Sequence, residues 1–528
     1  MSRAVKQEFL EKTLQEISDR HIAEAAELGM SPAEEVFVGD AAAPGDIYRP
    51  EKQTKKTDKK KNGRRSKCSW KPIIALATAA AVVAVIVFGG GDWWNVGRTP
   101  GESPVLRAHA VSEAVYPEMS PYPMGNFIKP NGEFDHESYE VVNNAWRQDR
   151  KEQRNQPEGY TEGADQFAAV TIPHFLRGAG TGNVIYSPLN VYMALAMAAE
   201  ITDGETRAQL LALLGAEDID ALRWKAPAIW NAHYHQDGAT STVLASSLWL
   251  DERILYKEET VKNLAENYYA STYQGDMQTT EMGDALRAWL NQQTGGLLED
   301  SIRNVKFSPE TVLALASTVY LREKWSDEFS EKATKTDIFH APTGDVECDF
   351  MYRQLDQNYY WADKFGGTFK TLKNGDCMWF ILPDEGVSVD EVLGDSQLTE
   401  FLAAEEKWEN SKRVVIYFHL PKFDISSDLD LKEGLTELGI TELFISGKAD
   451  FTPLSDDLPF AYVGEVSHAA RVAVDEEGVT AAAYTEMPAP GAAPPPDEEI
   501  EFKLDRPFIF AITGHDGLPL FVGVVNQP

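Results

Sequence analysis

Glu476-Glu-Gly-Val-Thr-Ala-Ala-Ala-Tyr-Thr-Glu-Met-Pro-Ala-Pro-Gly-Ala-Ala493 reads as a loop and as a strand at once. Small residues, Gly491 and the prolines at 488, 490, 494, 495 and 496 mark an exposed loop. Taken with period two, however, Val479, Ala481, Ala483, Thr485, Met487 and Ala489 fall on one face and are all apolar or small. That is the pattern of a half-buried strand. Its small side chains could enter a crowded sheet without overpacking it, and Gly478 supplies a hinge that tolerates unusual φ. A plain Ala- and Pro-rich linker reads the same stretch without any strand.

Outward from this loop, helical and strand signals alternate from about Gly163 without the regular cadence of a doubly wound sheet. Asn190 to Ile201 is apolar around most of its circumference and predicts a deeply buried helix; Thr206 to Leu214 predicts a more amphipathic one. Val312 to Leu321 and Val414 to Leu420 read as buried strands. An α+β domain with large sheets follows. No GxSxG elbow, HExxH, P-loop or GxGxxG with a following acid occurs, and nothing in the spacing of the 10 His singles out an acid/base pair. An enzyme is disfavoured. Cys68, Cys348 and Cys377 have no metal-ligand spacing, so neither a metal nor another cofactor is expected. Cys348 and Cys377 could form one disulfide on export or stay free.

The 528-residue chain has a formal net charge of -34. Residues 1–71 carry 15 Lys and Arg against 12 Asp and Glu, a balance of +3, which leaves -37 for the remainder. So acidic a remainder argues against nucleic acid as its partner. Residues 72–91 form an uncharged apolar run of 20 residues, long enough at about 1.5 Å per residue to cross a hydrocarbon core of about 30 Å. Ten Lys and Arg between Lys52 and Lys71 precede it, and Trp93 and Trp94 follow. This flank predicts one transmembrane helix with a cytoplasmic N-terminal segment (1–71), an extracytoplasmic spacer (92–162) and an exported domain (163–528). Within the N-terminal segment, Glu8 to Leu28 reads as an amphipathic helix. In the spacer, His136 to Arg154 reads as a helix whose charges suggest a solvated face. The internal anchor and the lack of a disulfide framework fit a bacterial cell surface.

Along residues 163–528 the motifs resemble, in order, those of the serpin family. Asn183-Val-Ile-Tyr-Ser-Pro-Leu-Asn190 and Gly204-Glu-Thr206 with Gln209 come first, then Val319-Tyr-Leu-Arg-Glu-Lys-Trp325 with Phe329. Phe380-Ile-Leu-Pro383, Leu420-Pro-Lys-Phe423, Leu438-Gly-Ile440, Ala449-Asp-Phe451, Glu476-Glu-Gly478 and Asp505-Arg-Pro-Phe508 continue the series. The resemblance implies a dominant mixed sheet, two further sheets, about nine helices and an exposed reactive-centre loop. In inhibitory members of the family a serine protease cuts that loop, which then inserts into the main sheet and traps the enzyme as an acyl ester, and the resemblance implies the same here.

Carried over residue by residue, the resemblance makes Glu476, Glu477, Gly478, Val479, Thr480, Ala481, Ala482 and Ala483 the insertion hinge, with Val479 where Thr or Ser is usual. Family spacing puts the cut at Ala492-Ala493, and poor cleavage before proline disfavours the bonds ending at Pro488, Pro490 and Pro494. An alanine bait implies an elastase-like or subtilisin-like target; the inhibitor is expected to be a monomer. Ser187, Asn190, Ser317 and His468 match the polar cluster where the sheet opens, with Ser and Asn exchanged at the second and third positions, which predicts a rebuilt hydrogen-bond network. Trp325 matches the tryptophan at the top of the sheet. Pro488 and Pro490 share a parity and would both remove ladder hydrogen bonds from an inserted strand. They leave open an alternative, a non-inhibitory surface binding module whose loop is cut as a plain substrate.

Overall fold

The computed structural model describes residues 104–123, 127–129, 133–178, 180–294, 302, 305–308, 310–404, 408–476, 496 and 498–528, and the backbone alone of 76–87. The core builds outward from one helix. Ser187 accepts from the backbone N–H of Asn190 at 3.4 Å and Pro188 supplies a preset φ at the first turn, so a helix starts at Pro188 and runs to Ile201. Every one of its residues is buried, as its all-round apolarity required. Ten other helices lie along the described chain: α1 (Pro104–His109), α2 (His136–Arg154), α3 (Ala164–Leu176), then, after the central α4 (Pro188–Ile201), α5 (Gly204–Leu213), α6 (Ile219–His233), α7 (Glu258–Asn267), α8 (Thr280–Gln293), α9 (Val389–Leu393), α10 (Ser396–Ala404) and α11 (Lys432–Glu437).

Two sheets pack around α4. The strands are β1 (Leu76–Val87), β2 (Ala110–Ser112), β3 (Val184–Tyr186), β4 (His235–Gln236), β5 (Ser241–Asp251), β6 (Ala270–Gly275), β7 (Leu313–Arg322), β8 (Lys335–Ala341), β9 (Gly344–Trp361), β10 (Phe365–Thr371), β11 (Cys377–Pro383), β12 (Ser411–Pro421), β13 (Phe423–Asp430), β14 (Ala461–Val474), β15 (Glu499–Lys503), β16 (Phe508–Thr513) and β17 (Pro519–Val525). The main sheet has the order β13-β14-β1-β7-β5-β6-β2, and the second β15-β12-β9-β10-β11-β16-β17-β3. Three sheets were expected. The 18-residue β9 pairs with β12 along most of its length and with β10 at its end, so two of the three run together through one long strand.

Residues 76–87 depart from expectation more sharply. They form a strand, not part of a transmembrane helix, and lie between β14 and β7, parallel to both. Ala, Val and Ile fill this run, and such residues meet a bilayer's length requirement and a central strand's β preference alike, so hydropathy does not separate the two. No helix among the described residues is long and apolar enough to cross a membrane. Residues 1–71 lie outside the described residues, including the helix expected near Glu8 to Leu28.

The segment expected as a spacer packs on the domain from Pro104 onward. β2 adds to the free edge of β6, and Tyr116 sits among Trp230, Tyr234 and Tyr269 with ring centroids 5.0–6.3 Å away. Helix α2 has the bounds the sequence predicts, but it is not a solvated rod. Trp146, Arg150 and Gln153, at i, i+4 and i+7, face the body. Trp146 Nε1 donates to Asp237 at 2.8 Å, Gln153 to the Tyr234 carbonyl at 2.7 Å, and the buried Arg150 to His235 Nδ1 and the Asn374 carbonyl, both at 2.8 Å. Arg150 brings positive charge to a buried group of carboxyls, Asp237, Glu323 and Asp376. Burial holds the Glu323 carboxyl well above its usual range and raises Asp376 as well.

Candidate functional site: the hinge and the main-sheet slot

β14 leaves the main sheet at Val474, and β15 re-enters the second sheet at Glu499, parallel to β12. The chain between them is therefore anchored in different sheets at its two ends. Glu477, Gly478, Val479, Thr480, Ala481, Ala482 and Ala483 of the expected hinge, and the Ala492-Ala493 bond, lie outside the described residues. Glu476 is the last described hinge residue, and it is pinned from four directions. Its backbone carbonyl accepts from Phe329 N–H at 3.0 Å, and the Asp475 carbonyl before it accepts from Trp325 Nε1 at 2.9 Å. Its carboxylate accepts from Thr334 Oγ1 at 2.7 Å and pairs with Lys422 Nζ at 2.7 Å. Burial works against that charge, but the Lys422 ammonium and the Thr334 hydroxyl together hold the carboxyl below its ordinary value. Sequence reasoning gave no role to Lys422, although it lies inside the Leu420–Phe423 motif, or to Thr334, which carries no local signal.

Trp325 stands just beyond β7, fully buried, edge-on to Phe329 at 5.9 Å and with Phe380 at 6.4 Å. Lys370 Nζ lies 4.6 Å from the Phe329 ring and 5.5 Å from the Trp325 ring; burial lowers this ammonium to a pKa of about 8. Trp325 thus joins the end of β7, the second sheet and the backbone of the hinge.

Ser187, Asn190, Ser317 and His468 are all buried. Two links join the first, second and fourth: His468 Nε2 accepts from the Ser187 backbone N–H at 3.0 Å, and Ser187 Oγ accepts from Asn190 N–H while donating to the Leu520 carbonyl at 2.6 Å. Tyr186 meets the His468 ring edge-on at 5.5 Å. Among the described residues, Asn190 Nδ2, Ser317 Oγ and His468 Nδ1 have no hydrogen-bond partner. The expected network is therefore only partly assembled. The reason is the intervening strand: Val82 of β1 is the Cα partner of Ser317 on one side and of His468 on the other, so the two polar residues stand level across one strand's width. Burial lowers the His468 imidazole to a pKa of about 3, which makes it a neutral acceptor.

Among the described residues no group of His, Cys, Asp or Glu could hold a metal ion, and Cys348 and Cys377 are not joined by a disulfide. What the arrangement offers is mechanical. It has two parallel strands, β7 and β14, one strand's width apart with β1 between them, and a chain that leaves β14 beside them and is pinned at Asp475 and Glu476.

Such an architecture defines an α+β protein of two large sheets whose main sheet holds a strand between β7 and β14 and whose chain passes from β14 to the second sheet. The comparisons identify the family: its profile, described as "Serpin (serine protease inhibitor)", matches residues 162–528, and the chain belongs to the serpin family. Serpin-Z1C of Triticum aestivum is 30% identical over 374 residues, covering 66% of this chain and 91% of its own. Alpha-1-antiproteinase F of Cavia porcellus is 28% identical over 397 residues, covering 70% and 92%. Among solved structures, the native state of tengpin, a thermophilic serpin, superposes with a TM-score of 0.63 at 27% identity, covering 71% of this chain and 95% of that one.

Proposed function

We propose that this serpin is a suicide-substrate inhibitor of an elastase-like or subtilisin-like serine protease, held at a membrane through residues 72–91. The protease serine attacks the Ala492 carbonyl, the amide bond to Ala493 breaks, and the new amine at Ala493 leaves. The enzyme stays joined to Ala492 as an ester. The freed end, no longer tied to β15, folds back from Glu476 into the slot and carries the protease with it before water can cleave the ester. The observation that carries this reading is the slot itself: β7 and β14 accept a strand between them, beside the root of the loop. The absence of Lys and Arg between Gly478 and Ile500 disfavours a trypsin-like target.

Membrane anchoring with the domain extracytoplasmic, on a bacterial surface, is supported by the length of the 72–91 run and the basic residues before it. A second reading, a non-inhibitory binding module, is favoured by Pro488 and Pro490, which would weaken an inserted strand.

The full chain held in lipid vesicles and incubated with a pancreatic-type elastase at near-equimolar ratio tests the proposal on a denaturing gel. A covalent band, with a released peptide that mass spectrometry shows to begin at Ala493, is the expected outcome. A cut loop beside fully active elastase would favour the binding module.

A further inference from the structure

The strand that occupies the slot is not the loop. It is the apolar run, and its sequence imitates the loop's hinge: Thr78-Ala-Ala-Ala-Val82 beside Thr480-Ala-Ala-Ala-Tyr484. Between Leu76 and Val87 there is no proline, whereas the loop carries Pro488 and Pro490, so the run offers an unbroken ladder where the loop does not. The run pairs with β14 from Leu76 to Val87 and with β7 from Ala81 to Val87, parallel to both. A loop folding back from the end of β14 would enter the same place in the opposite direction.

Chain connectivity adds to this. Only residues 88–103 separate β1 from α1, and α1 leads into β2, which is paired to the sheet's far edge. Sixteen residues reach at most about 55 Å, so the run stays at an effective concentration of order millimolar beside the slot. The same run meets the length requirement of a bilayer span, and one copy of it cannot be a strand in the sheet and a helix in lipid together.

We propose that residues 76–87 are an autoinhibitory strand that fills the main-sheet slot off the membrane, and that lipid withdraws them so that the cleaved loop can insert. The inference rests on the inhibitory reading above. Off the membrane the protein is cut as a substrate; on it, the protein traps.

The test uses the full chain, once in vesicles of phosphatidylcholine and phosphatidylglycerol and once lipid-free, titrated against pancreatic-type elastase. Trapping close to equimolar is expected in vesicles. If no more than about a fifth of lipid-free molecules have an open slot, at least about fivefold more inhibitor is required there. Placement of the run is read separately, on a background with Cys68→Ser, Cys348→Ser and Cys377→Ser. Ala84→Cys with Val319→Cys joins Cα partners across β1 and β7, and Ala84→Cys with Ala470→Cys joins those across β1 and β14. Either pair should oxidise in the lipid-free chain and stay reduced in vesicles. Equal trapping in both preparations, or pairs that stay reduced without lipid, would overturn the proposal. If no covalent complex forms in either preparation, the inhibitory reading fails, while the cysteine pairs still report where the run sits.

Discussion

Glu476 is the residue on which the loop's root depends, because one carboxylate answers to Lys422 and Thr334 while its carbonyl holds Phe329. Glu476→Gln should cost about 1–2 kcal/mol, since an amide keeps the shape but loses the charge-assisted bonds. Glu476→Lys should cost more by setting two ammonium groups together; the urea midpoint of the intact chain checks both. Two buried histidines give opposite pH dependences. His468 has a pKa near 3 in the fold against about 6.5 unfolded, so stability falls as pH drops from about 6.5 towards 3, by up to about 1.4 kcal/mol per unit. His468→Gln should flatten that limb. At His233 burial opposes the charge, but the Asp516 carboxylate 3.2 Å away prevails and raises it to about 9, so its contribution is complete below about 6.5 and is lost as pH rises through 9. Ser187, Asn190 and Trp325 could be singled out in the sequence because each sits in a motif, and Ser317 and His468 because the family resemblance assigns them positions. Thr334 was not, standing 142 positions from the glutamate it binds.

At the scale of elements, α2 shows what hydrophobic periodicity can and cannot reveal. Its bounds were legible from charge and helix formers, but its docking face is polar, Trp146, Arg150 and Gln153, and makes its contacts by hydrogen bonds, so no apolar stripe announced it. Arg150→Met removes the guanidinium from beside Asp237, Glu323 and Asp376. The expected loss is about 3–5 kcal/mol, read as a lower urea midpoint at unchanged m. A chain begun at residue 160 would lack the same contacts. The strands most legible were the apolar runs: Val312 to Leu321 became β7 (Leu313–Arg322), buried almost throughout, and Val414 to Leu420 lies within β12 (Ser411–Pro421), where Tyr417 and His419 are half-buried. Residues 76–87 read as part of a span for the same physical reason that made β7 easy, since continuous apolarity fits a span and a central strand equally.

For the whole molecule, the proposed inhibition needs two packings of one chain, with the loop held out between β14 and β15 or inserted between β7 and β14. The order of motifs along residues 163–528 made the family legible. Sequence periodicity could not reveal that the slot has a second claimant, because strand partners are set by the tertiary fold. A new central strand of about ten ladder bonds, each contributing roughly 0.5–1.5 kcal/mol net, should leave the cleaved form more stable than the intact one by several kcal/mol. The most direct measurement is the urea midpoint of the chain in lipid vesicles before and after the loop is nicked near Ala492. A rise of several kcal/mol in unfolding free energy at unchanged chain composition is the expected result; a midpoint that stays or falls after nicking would contradict loop insertion, and with it the inhibitory mechanism.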